Sequence, residues 1–137
     1  MASYTALIDG EDGAYGVIFP DLPGCTAMGR ALDEAVANAA EAMRDWVVET
    51  LRKGGVVADP RPIEALLADP EVAEALRAGA ILRSVPLVLE SGRPAKANLS
   101  IDSGVLAAID AEAKRRKLTR SAFIELMARH ALPEMAG

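Results

Sequence analysis

Cysteine, histidine and tryptophan each occur once in 137 residues, beside two phenylalanines and two tyrosines. A lone cysteine has no partner for an internal disulfide and suits a reducing cytoplasm. A lone histidine, His130, has no Cys, His or Asp at ligand spacing, which argues against a metal centre and against His-based catalysis. So few aromatics leave Ala, Val, Leu and Ile to build the core. No apolar run reaches the roughly 18 residues that a membrane-spanning helix needs. Met1 to Asp9 lacks the basic start and long apolar stretch of a secretory signal. These absences lead us to expect a cytoplasmic protein that binds no membrane and uses no cofactor.

Charge is present but unevenly placed. Met1 to Arg93 holds 8 Lys and Arg against 15 Asp and Glu, a net of −7. Pro94 to Gly137 holds 7 against 5, a net of +2. An acidic front and a basic back suggest two modules with different partners.

Hydrophobic periodicity divides the front. Tyr4 to Ile8 and Tyr15 to Phe19 read as strands joined by the turn chemistry of Gly10-Glu11-Asp12-Gly13. Pro20-Asp21-Leu22-Pro23-Gly24 forces an irregular turn, and Cys25 to Met28 is a short third strand. Leu32, Ala35, Val36, Ala39, Met43, Trp46, Val47 and Leu51 recur at helical spacing. Asp33 and Glu34 suit the start of that helix, and Gly54-Gly55 stops it. Residues 56–80 hold two short helices, Ile63 to Ala68 and Glu71 to Ala78, split by Asp69-Pro70. Ile81 to Leu89 is a further strand, and Ser91-Gly92-Arg93-Pro94 a linker. The fold class is α+β, with a β-β-β-α-β front over residues 1–91 and a separate module over 94–133.

The back module has another grammar. Period-two alternation puts Lys96, Asn98 and Ser100 on one face of an extended segment and Ala97, Leu99 and Ile101 on the other. Asp102 or Ser103 can cap a helix with the stripe Val105, Leu106, Ile109 and Ala113, which ends in Lys114 to Lys117. Thr119 caps a last helix with Phe123, Ile124, Met127 and Leu132 on its apolar face. Roughly 40 residues are too few to bury a core alone. A homodimer solves this if the two extended segments pair and four helices pack beneath them. The polar face then points outward, and the DNA major groove accepts such a two-stranded ribbon. Lys96 can donate to guanine, Asn98 can bond adenine bidentately, and Ser100 is short and adaptable. Thr119, Arg120 and Ser121 open the last helix, where free N–H groups suit a DNA phosphate. A hairpin with a merely solvated polar face would expose the same three side chains, but it leaves the Thr119-Arg120-Ser121 cap unexplained.

Ala97-Asn98-Leu99-Ser100-Ile101, Leu106-Ala107-Ala108-Ile109-Asp110 and Thr119-Arg120-Ser121-Ala122-Phe123-Ile124, in this order, resemble the ribbon-helix-helix repressors. In that family the first ribbon position is often Arg. Here it is Lys96, a point donor rather than a fork. The front resembles the HicB antitoxins. The resemblance lies in Tyr4-Thr5-Ala6-Leu7-Ile8, in the run from Tyr15 through Phe19-Pro20-Asp21-Leu22-Pro23-Gly24-Cys25, and in Ala31-Leu32-Asp33-Glu34-Ala35. It implies a partial RNase H-like fold that binds and blocks HicA, a small mRNA-cleaving toxin. It also implies that the complex represses its own operon. Double-stranded operator DNA, a HicA-like toxin and a second copy of the chain are then the expected partners, with dimers free to pair into tetramers.

Asp9, Glu11, Asp12 and Asp21 are the candidate toxin-facing residues, since an RNA-binding toxin should be basic where it holds phosphate. A nuclease of RNase H type would need several carboxylates converging on two metal ions. Glu11 and Asp12 lie in a turn, and the third strand carries no acid, so no catalytic or metal-binding residue is assigned and the chain is not read as an enzyme. Cys25 reads as a small buried residue. Trp46 reads as core, or as an anchor for a partner. The other function class is an orphan ribbon-helix-helix regulator whose front senses a ligand or oligomerises.

Overall fold

The computed structural model describes residues 2–135. Four strands, β1 (Ser3–Glu11), β2 (Ala14–Ile18), β3 (Thr26–Gly29) and β4 (Ile81–Pro86), form one antiparallel sheet in the order β3-β2-β1-β4. Helix α1 (Leu32–Arg52) lies against it, and α2 (Ile63–Ala68) and α3 (Pro70–Arg77) precede β4. After β4 come α4 (Ser103–Arg115) and α5 (Arg120–Met135). The chain divides into two compact units: one runs to Leu89 and takes in the chain again from Leu132, and the other spans Glu90–Ala131.

Strand alternation builds the core of the first unit. Tyr4, Ala6 and Ile8 of β1, Val17 of β2 and Val85 of β4 are buried against Ala35, Val36, Ala39, Ala40, Met43 and Val47 of α1. The small residues of this stripe let the helix come close. The tightest point is Gly29, where an added Cβ would sit 2.4 Å from the Ala35 nitrogen. Trp46 is half-buried against the same core. Leu51, expected on the buried stripe, is 54% exposed. It lies in the last turn of α1, beyond Val47, the last residue of the helix to be fully buried.

The hairpin is longer than its sequence suggests. β1 continues through Gly10, which has φ +100°, and Glu11 pairs with Ala14, so only Asp12 and Gly13 form the loop. A side chain at Gly10 would strike the Ala14 carbonyl, so only glycine lets the ladder pass. The third strand starts one residue later than expected. Cys25 belongs to the preceding turn, its N–H bonded to the Leu22 carbonyl at 3.0 Å. β4 stops at Pro86, three residues before the expected Leu89, although the Leu87 N–H still reaches the Ala2 carbonyl at 2.8 Å.

The 56–80 segment is tied to β1 and to the loop before β3. The Tyr4 hydroxyl donates to the Ala58 carbonyl at 2.6 Å. Asp21, in the loop before β3, accepts from the Arg61 backbone N–H at 2.9 Å and from its guanidinium at 2.5 Å. Arg61 also donates to Asp69, which caps α3 by accepting from the Glu71 N–H at 3.0 Å.

Candidate functional site

In the second unit each helix starts as its sequence dictates. The Asp102 carboxylate accepts from the Gly104 and Val105 N–H groups at 2.9 and 3.0 Å, which caps α4. Thr119 Oγ1 accepts from the Ala122 N–H at 3.1 Å and caps α5. Between them, the Leu118 N–H reaches the Ala113 carbonyl and the Lys117 N–H reaches Lys114, a Schellman closure. Lys117 holds the left-handed position of that motif at φ 58°, where glycine is the usual occupant. Phe123 is buried, with the Arg116 guanidinium 5.6 Å from its ring centroid.

Lys96, Asn98 and Ser100 stand on a stretch with no regular secondary structure, and every residue from Ser91 to Ser100 is exposed. Among the described residues, the backbone of residues 94–101 makes no hydrogen bond with other backbone. The expected strand is absent within one chain because a strand needs a partner. The apolar side of the module is equally unfinished. Leu99 is 65% and Val105 52% exposed, and Ala113 and Phe123 are the only hydrophobic side chains from Glu90 to Ala131 counted as buried.

The three residues at the start of α5 differ in what they offer. The Arg120 and Ser121 backbone N–H groups have no backbone acceptor among the described residues, and Ser121 is exposed. The Arg120 side chain, however, forks onto Asp110 of α4 at 2.9 and 2.8 Å. This contact holds the Asp110 carboxyl below the usual carboxylate range. Arg115 and Arg116 both engage Glu112, pulling its pKa down to about 2.

In the first unit, Asp9, Glu11 and Asp12 are exposed at the hairpin end of the sheet. Asp21 is not with them: its side chain is 7% exposed and is held by Arg61. Sequence spacing could not reveal that link, because the partners are 40 positions apart. Cys25 is buried, and burial pushes its thiol pKa up, away from the thiolate form a nucleophile needs. Among the described residues no group of three His, Cys, Asp or Glu side chains is placed to hold a metal ion, and no helix is long and apolar enough to cross a membrane.

Residues 4–128 match the family profile described as HicB_like antitoxin of bacterial toxin-antitoxin system. Among solved structures, the Burkholderia pseudomallei antitoxin HicB is 34% identical, with 96% of this chain and 99% of that chain covered and a TM-score of 0.56. A chain of a HicA3 and HicB3 toxin-antitoxin complex is 24% identical over 63% of this chain and 98% of that one, with a TM-score of 0.53, and shows a shared fold. An uncharacterized 14.9 kDa protein of Haemophilus phage HP1 is 29% identical over 107 residues, 78% of each chain.

Proposed function

The chain belongs to the HicB-like antitoxin family of bacterial toxin-antitoxin systems, and from that premise we propose a protein with two binding tasks. Its front unit covers a basic, RNA-cleaving toxin of HicA type. Its back unit pairs with a second copy as a ribbon-helix-helix, binds operator DNA and represses the operon. Neutralisation is stoichiometric binding, without turnover. The toxin reading draws on the family, on the net −7 of the front residues and on steering between opposite charges.

The observation that carries the DNA reading is the exposed stretch before α4, whose backbone pairs with no other backbone. An open row of N–H and C=O groups is a template for another strand. Pairing with the same segment of a second copy would use it. It would also bring Ala97, Leu99 and Ile101 onto a shared helical core and leave Lys96, Asn98 and Ser100 facing outward. Lys96 then offers a point charge to guanine, Asn98 two bonds to adenine, and Ser100 a short adaptable hydroxyl. Flanking phosphates sit at the start of α5, against the open Arg120 and Ser121 N–H groups beside the Thr119 cap.

The test is co-expression with the product of the adjacent gene, followed by a gel shift with the promoter fragment. Rescue of growth, a stable complex and a sequence-specific shift are expected. A shift without any toxin complex leaves an orphan regulator, and no shift removes the repressor role.

A further inference from the structure

The sheet has two faces, and α1 covers one. Period-two alternation sends the side chains that skip the α1 core to the other. In register across the strands, Asp9 of β1, Gly16 of β2 and Met28 of β3 form one row, and Leu7, Ile18 and Thr26 form the next. Leu7 is buried, yet Ile18 is 47% and Met28 71% exposed. The exposed apolar area therefore lies over β2 and β3. Gly16 has no side chain between them, and the Asp9 carboxylate fills that place: a Cβ built on Gly16 would lie 2.9 Å from Asp9 Oδ1. Glu11 and Asp12 continue the negative charge toward the hairpin tip.

The geometry points to this face as the seat of a basic protein surface, and the proposal rests on the antitoxin reading above. Its occupant is the toxin. A lysine or arginine stem of the toxin lies along Ile18 and Met28, and its cationic head meets Asp9. Long basic side chains pack in this way, stem on apolar surface and charge at a carboxylate. Charge complementarity selects the occupant, since the rim of the patch is acidic and the unit is strongly so. Side-chain docking is favoured over strand addition at β3, because the Asn38 amide on α1 already donates to the Met28 carbonyl at 2.8 Å.

Calorimetry with the full-length chain and the purified product of the adjacent gene, as the toxin, tests this. Ile18→Lys and Met28→Lys each place a cation where the toxin brings one, and both should weaken toxin binding about 30-fold or more, the scale of a central interface loss. Asp9→Asn should slow association and flatten its salt dependence. Val48→Lys, an exposed change on α1, should leave binding as it was. Thermal midpoints and operator binding of the lysine variants should match the parent, which shows that they fold. Unchanged toxin affinity in both Ile18→Lys and Met28→Lys overturns the docking face while the antitoxin reading stands. Absence of toxin binding by the unmodified chain overturns both.

Discussion

The Arg120 guanidinium lies in a two-pronged contact with Asp110, 2.9 and 2.8 Å from its oxygens, and so ties the start of α5 to α4. Its charge is thereby matched inside the unit. In the proposed complex, phosphate at this helix end would meet chiefly backbone N–H groups, with a neutralised cation beside them. Asp110→Asn should release the arginine, raise affinity for DNA of any sequence and steepen the salt dependence by about one phosphate contact. Filter binding across a salt series measures both. A weaker complex would mean that the brace matters more than the freed charge.

Asn98 has a different task in the proposed complex. Asn98→Ala should cost about 1–3 kcal/mol of specific binding and relax preference at one base pair. Toxin binding should stay the same. Competition among operator variants gives the first quantity and calorimetry the second.

Glu112 supplies a pH signature. Its carboxyl is bonded by Arg115 and Arg116, and its pKa falls from the ordinary 4.5 to about 2. The lowered value means that the folded chain holds the proton less tightly than the unfolded chain. The ion pairs therefore contribute in full above the ordinary glutamate range and fade as pH falls from there toward 2. Carbon-detected NMR of the Glu112 carboxyl should show a midpoint far below the ordinary glutamate value of 4.5.

Gly29 sets the spacing of sheet and helix. Gly29→Ala would press a methyl onto Ala35 backbone atoms that have no room to turn aside. Urea unfolding should show a loss of about 1–3 kcal/mol, the usual cost of overpacking.

Lys117 is the reverse case. It holds a left-handed backbone that costs an L-residue energy and that glycine adopts freely. Lys117→Gly should stabilise the second unit by roughly 0.5–1 kcal/mol, after allowance for the greater freedom of glycine in the unfolded chain. Thermal melts would record this as a higher midpoint.

What could be read in advance was local. The stripe from Leu32 to Val47 located α1, Asp69-Pro70 separated α2 from α3, and Asp102 and Thr119 marked the two caps. Such features depend on neighbours three or four positions away. The rest depended on distant partners. Nothing near Asp21 announces Arg61, and nothing near Tyr4 announces Ala58, so the 56–80 segment had no visible anchor. Periodicity named the inward face of α1 but not where inward packing ends, which is why Leu51 was misplaced. The Asp9 carboxylate over Gly16 needed the strand register, which sets Asp9 and Met28 on either side of that glycine.

Hydrogen exchange of the amides from Ala97 to Ile101 in the full-length chain tests the pairing of two copies most directly. Slow exchange at micromolar concentration, speeding up on dilution, is the result expected of a ribbon shared by two chains. Exchange at the rate of a free peptide, at every concentration, would contradict it.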